Sequence, residues 1–160
     1  MFACAVFAAA LSATNGRAQN AKPMVVVPRE QARWVPIDST RPNGAAMAVL
    51  WGEPTTGPSA FLLRLVKGAG RLHVHTSDYH LVVLEGTMTH WGMGVRQTDA
   101  PRLAPGSFWF QPGNEPHGDA CLSEVCVMYV QFAGKRDGRL ADAPPGAQRE
   151  RGQAPRHTPR

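Results

Sequence analysis

The stretch Gly68-Ala69-Gly70-Arg71-Leu72-His73-Val74-His75-Thr76-Ser77-Asp78-Tyr79-His80-Leu81-Val82-Val83-Leu84-Glu85-Gly86 places three of the chain's six histidines between glycine-marked turns. One residue separates His73 from His75, so on a strand both imidazoles leave from one face and Leu72 and Val74 from the other. Beyond the polar turn Thr76-Ser77-Asp78, His80 stands at the head of the apolar run Leu81–Leu84, and a hairpin at that turn would bring it beside the pair. About thirty residues on, the stiff loop Pro112-Gly113-Asn114-Glu115-Pro116 delivers His117. Four neutral imidazoles meeting at one point form a ligand shell suited to one divalent transition metal ion, whether Zn, Fe, Cu, Ni or Mn.

Short β-like runs flank this stretch on both sides, each closed by Gly, Pro or Asp. They are 47–51 (MAVLW), 60–66 (AFLLRLV), 72–75, 79–84 (YHLVVL), 87–91 (TMTHW), 107–110 (SFWF) and 125–132 (VCVMYVQF). Their number and spacing predict an antiparallel sandwich or barrel. At 160 residues the chain suffices for one domain with a core.

At the four histidines the sequence resembles the cupin superfamily, whose motifs read roughly G(x5)HxH(x3-4)E(x6)G and G(x5)PxGxxH(x3)N. Here the first appears as Gly68-AGRL-His73-Val-His75-TSDY-His80-LVVLE-Gly86, and the second as Gly106-SFWFQ-Pro112-Gly113-NEP-His117. The resemblance implies an all-β jelly-roll barrel with a metal near its centre. With this spacing His80 stands where the superfamily carries a glutamate, and Cys121 stands where it carries an asparagine. An all-histidine shell would leave the site more positive than usual and attractive to an anionic ligand. The chain looks most like small exported single-domain cupins of uncharacterised activity, and more distantly like the cupin domain of zinc-binding anti-sigma factors.

Outside the barrel, the apolar run Phe2–Leu11 followed by Gly16-Arg17-Ala18 has the layout of a secretory signal peptide over residues 1–18. An arm follows over 19–44, with the barrel over 45–134 and a disordered Pro/Arg-rich tail over 135–160. Export would make the protein periplasmic or secreted. Of the three cysteines, Cys121 and Cys126 would then remain, either paired or as free thiols. The formal charge of +5 does not indicate nucleic acid: residues 19–138 hold eleven Lys and Arg against ten Asp and Glu, and most of the excess lies in the tail. No stable membrane insertion is expected after signal removal. A homodimer is a further expectation, with the arm's MVVV run at 24–27 as a candidate for edge pairing.

Tyr129 and Gln131 share one strand face and are the candidate catalytic residues beside the metal. Asp78 reads as a turn residue or as a hydrogen-bond partner of a ligand imidazole. His90 reads as exposed in preference to pocket-lining. Trp91, Phe108, Trp109 and Phe110 are core or pocket wall, and Glu85 and Glu115 are turn residues. The expected function is a metal-dependent enzyme, oxygenase-like, acting on a small organic molecule; the alternative is a non-catalytic metal-anchored ligand-binding or sensing module.

Overall fold

The structure is a computed structural model that describes residues 23–141. The expected signal peptide and residues 142–160 of the expected tail lie outside the described residues. Nine strands follow one another: β1 (Val35–Pro36), β2 (Ala46–Gly52), β3 (Ser59–Ala69), β4 (His73–Val74), β5 (Tyr79–Glu85), β6 (Met88–Gly92), β7 (Phe108–Gln111), β8 (His117–Phe132) and β9 (Arg139–Leu140). Every pairing is antiparallel. Helical structure among the described residues is limited to two single 3-10 turns, and no helix there is long and apolar enough to cross a membrane.

β8 organises the barrel because it pairs on both edges. One edge takes β3 along nearly its whole length; the other takes β6 near its start and β5 near its end. The switch between β6 and β5 falls at a bend over 122–124, where pairing with β3 jumps from Val66 opposite Val125 to Gly68 opposite Cys121. A disulfide between Cys121 and Cys126, Cα atoms 5.8 Å apart, closes this bend and settles the cysteine pairing. Both cysteines are buried, and Gly86, at φ 75°, lies directly over Cys126, where a Cβ would meet the Val125 carbonyl oxygen at 2.5 Å. The turn therefore requires glycine for both its conformation and its clearance.

Alternation places one residue set inside. Phe61 of β3, Tyr79, Leu81 and Val83 of β5, and Met128, Val130 and Phe132 of β8 form the core together with Met88 and Trp109. Phe132 stacks between Phe61 at 5.9 Å and Tyr79 at 4.9 Å. Such aromatic pairs add about 1 kcal/mol beyond their burial. One end of the interior is left unfilled as a cavity of about 410 Å³, with Phe61, Leu63, Met128, Val130 and Phe132 on its walls.

Two short elements lie outside the expected strands. β1 pairs with β2, and β9 pairs with β4, setting His73 opposite Leu140. The barrel therefore continues past residue 134: residues 135–141, expected to begin a disordered tail, are built onto the sheet beside the histidines.

Candidate metal centre

β4 and the beginning of β8 are cross-strand neighbours, with His73 directly opposite His117. Their ring centroids lie 4.4 Å apart, and His75 completes a triangle at 4.9 Å from His73 and 5.3 Å from His117. One ring nitrogen of each lies within 4.8 Å of those of the other two, a group able to hold a metal ion. The period-2 alternation of β4 puts His73 and His75 on one face, and the register with β8 supplies the third ring.

Two loops that touch fix this register. The Asp78 carboxylate accepts the Gly113 N–H at 2.7 Å, and the Asn114 N–H donates to the His75 carbonyl at 2.7 Å. Asn114 adopts φ 64°, and a Cβ at Gly113 would meet the Thr76 carbonyl oxygen at 2.6 Å. Asp78 thus locks the loop carrying His117 onto the turn that follows His75, and does not contact an imidazole.

The imidazoles are oriented from behind in a common way. His73 Nδ1 faces the Arg71 carbonyl at 2.9 Å, His117 Nδ1 faces the Glu115 carbonyl at 3.0 Å, and His75 Nδ1 faces the Asp137 carbonyl. A carbonyl accepts and does not donate, so each Nδ1 carries a proton, and in the neutral ring Nε2 is then the atom with a lone pair to offer. Burial holds the His75 imidazole below its usual pKa and draws His117 down to about 4, opposed in each case by the hydrogen bond to a carbonyl. Both rings are therefore neutral, the form that ligates metal.

The fourth group is Tyr79, one residue before the expected His80. Its hydroxyl lies 3.1 Å from His117 Nε2 and accepts the Trp109 indole N–H at 3.4 Å. Burial pushes the phenol well above its ordinary pKa, with the Asp119 charge acting in the same direction. His80 itself lies on the opposite face of β5, exposed, with its ring beside Phe110 at 5.1 Å and Phe108 at 5.9 Å. The three-histidine group does not include it. The physical reason is strand parity: Tyr79, Leu81 and Val83 point inward, so His80, Val82 and Leu84 point outward.

Tyr129 and Gln131 share that outer face. Gln131 pairs with His80 across the strands, and the Tyr129 hydroxyl donates to Gln131 Oε1 at 3.5 Å. The cavity is lined instead by their neighbours Met128, Val130 and Phe132. Of the aromatics, Trp91 and Trp109 are buried, while Phe108 and Phe110 are exposed.

His90, expected to be exposed, is largely buried and stacks on Trp109 at 4.7 Å. Its Nδ1 donates to Asp119 Oδ1 at 2.7 Å and its Nε2 faces Gln111 Oε1 at 3.0 Å. The Gln111 amide nitrogen donates to the Pro112 and Glu115 carbonyls, which fixes its oxygen toward His90. Burial tends to raise the Asp119 pKa, but the His90 hydrogen bond and the neighbouring histidines outweigh it and hold the carboxyl below its ordinary value. Asp119 Oδ2 also lies 3.8 Å from His73 Nε2. Asp119 was not among the expected site residues; the signal that could have found it is alternation, since it lies two residues after His117 on one strand, and the register sets it directly opposite His90.

The donor set therefore consists of three imidazole nitrogens with a phenol and a carboxylate at its side, a chemistry that fits a divalent first-row metal. His73, His75 and His117 would hold the ion.

Solved structures resemble this architecture. KdgF from Halomonas sp. superposes with a TM-score of 0.57 at 18% identity, covering 73% of this chain and 97% of that one. An RmlC-like cupin from Shewanella frigidimarina gives 0.56 at 22% identity, covering 69% and 91%. The polyketide cyclase RemF from Streptomyces resistomycificus gives 0.56 at 21% identity, covering 76% and 90%. At these identities the likeness shows the fold, and that fold is the cupin jelly roll. No curated protein matches the chain. Residues 7–140 match the family described as a domain of unknown function, DUF4437, and the chain belongs to that family.

Proposed function

We propose that the protein is a metal-dependent enzyme acting on a small organic molecule outside the cytoplasm. The observation that carries this reading is the set of three Nδ1–H groups committed to backbone carbonyls, which leaves Nε2 as the donor atom of each of three imidazoles gathered at the cavity. Histidines that merely filled a polar barrel would have no need of a common tautomer.

When bound, a divalent metal supplies a Lewis-acid centre that polarises a coordinated oxygen. His73, His75 and His117 would hold it, and three protein ligands in place of four suit the proposed oxygenase-like chemistry. Tyr79 holds a proton at its phenolic oxygen beside that point, and the Trp109 N–H fixes the direction of its lone pairs. Leu81, Met128 and Val130 line the cavity with apolar surface and exclude water from around the reacting group. Asp119, held by His90, places a negative charge 3.8 Å from His73 Nε2, on the metal-facing side of that ring. The buried disulfide supports an oxidising compartment, periplasmic or extracellular.

The test is to purify the protein, measure bound metals, reconstitute with Fe(II), Cu(II), Ni(II), Mn(II) and Zn(II), and offer small diketone, flavonol and thiol substrates. His73→Ala, His75→Ala and His117→Ala are expected to lose metal and turnover together, His80→Ala to keep both, and Tyr79→Phe to keep metal while losing turnover at least tenfold. Metal content unchanged in His117→Ala would overturn the site. Metal bound without turnover by any reconstituted form would leave a metal-anchored binding module instead.

A further inference from the structure

Three cationic side chains line the cavity: Arg41, Lys67 and Arg136. Two have carboxylate partners, since Arg41 donates to Asp38 at 2.8 Å and Lys67 to Glu124 at 2.7 Å. Among the described residues Arg136 has no carboxylate within ion-pair distance, and its guanidinium makes no hydrogen bond; it lies over the Phe61 ring, 5.9 Å from the centroid. Phe61 is itself 1% exposed and forms a cavity wall, so the guanidinium rests on the apolar interior and not on the outer surface. Burial lowers the Arg136 pKa, a sign that the charge loses hydration without a compensating anion.

An unpaired, partly desolvated guanidinium is costly unless something else supplies the charge. The chain places this one deliberately. The Arg136 backbone N–H donates to the Pro54 carbonyl at 2.6 Å, and the next residue, Asp137, accepts from His75 through its backbone and from Thr76 through its side chain, at 2.9 Å and 2.7 Å. The segment that presents Arg136 to the cavity is therefore the one that orients a metal-site histidine. Between the two lies apolar wall.

We propose that Arg136 is the recognition residue for a carboxylate, so that the molecule taken up by this cavity is a small carboxylic acid with an apolar body. Its carboxylate pairs with the guanidinium fork, its body lies against Phe61, Leu63 and Met128, and its far end reaches toward the three histidines. A planar fork suits a carboxylate better than a point charge does. A cavity of about 410 Å³ admits a molecule the size of a substituted benzoate or a branched aliphatic acid. The inference rests on the enzyme reading for the identity of the site, but not for the carboxylate contact itself.

Calorimetric titration of the zinc-loaded protein with benzoate, and with benzamide as its uncharged counterpart, tests it. Benzoate is expected to bind at least tenfold more tightly than benzamide. Arg136→Met is expected to weaken benzoate at least tenfold while leaving zinc stoichiometry and benzamide affinity unchanged, with Arg136→Lys between the two. Arg136→Gln, with its melting temperature measured in parallel, guards against a variant that fails to fold. No benzoate binding, or equal affinity in wild type and Arg136→Met, overturns the proposal. His117→Ala separates the two readings: if it keeps its metal while benzoate binding still depends on Arg136, the metal site fails and the carboxylate site stands.

Discussion

Each of the three imidazoles spends its Nδ1 proton on a carbonyl, and that commitment sets how the site responds to acid. His117 is buried and titrates near 4 in the folded chain, against about 6.5 for an ordinary histidine, because burial disfavours its charged form. Its folded pKa lies below its unfolded one, so between these values the unfolded state binds more protons and stability rises with pH. Conversely, stability is lost as pH falls from about 6.5 toward 4. For the metal-free protein the loss from this residue is roughly 2 to 3 kcal/mol at pH 4.5, and His75, shifted in the same direction, adds to it. Urea unfolding of the chelator-treated protein at pH 7 and pH 4.5 measures it, with His117→Asn as the control expected to flatten the slope; an unchanged slope in that variant would contradict the assignment. At this scale the sequence pointed to three of the four groups that the structure brings together. His73, His75 and His117 were legible because spacing and a stiff loop declare them. Tyr79 was not, since the first motif tolerates three or four residues after His75 and the following Leu81-Val82-Val83-Leu84 is apolar on both faces. Period-2 alternation cannot choose a side in such a run.

At the level of elements, the site depends on a segment whose sequence gives no sign of structure. Residues 135–141, Lys-Arg-Asp-Gly-Arg-Leu-Ala, have the composition of a solvated linker, yet they carry Arg136, Asp137 and β9. What orders them is hydrogen bonding to Thr76, His75 and β4, not burial of apolar surface. Pattern reading detects apolar periodicity and is blind to this kind of order. The longer strands, by contrast, were legible within one or two residues at most ends, apart from β3, which extends farther toward Ala69, and β8, whose first half is carried by His117, Gly118 and Asp119 instead of a β-branched run. The role of the C-terminal segment can be isolated by Asp137→Ala, which removes both side-chain acceptors of Thr76 while keeping the backbone carbonyl that faces His75. Loss of such an outer contact typically costs a metal site about tenfold or more in affinity. Zinc competition against a chromophoric chelator is expected to show a weakening of about tenfold with little change in the far-ultraviolet spectrum. Unchanged zinc affinity would mean that the backbone pairing of β9 alone holds His75 in place.

On the scale of the whole molecule, the histidines join parts of the barrel that are far apart in the chain. His73 and His75 leave from β4 and its turn, His117 from the start of β8, Tyr79 from β5, and the carbonyl behind His75 from residue 137. His73, His75 and Tyr79 stay neighbours in the unfolded chain, but His117 lies 38 positions beyond Tyr79 and residue 137 lies 62 beyond His75, so the unfolded state keeps only the histidine pair, and a metal held by all three imidazoles would be linked directly to folding. The disulfide does not substitute for this linkage, because it closes a loop of only five residues' separation within β8 and leaves β4 untouched. Zinc held free at a hundred times its dissociation constant stabilises the folded state by about 2.7 kcal/mol, which for a barrel of this size raises the melting temperature by on the order of 10 °C. The rise should be reversed by chelator, absent in His117→Ala and preserved in His80→Ala, whose ring lies on the outer face. Differential scanning calorimetry of the three proteins with and without zinc checks this directly. An equal rise in His117→Ala would show that zinc binds elsewhere, with the His90–Asp119 pair as the first place to look, and a rise lost in His80→Ala would return the outer histidine to the site.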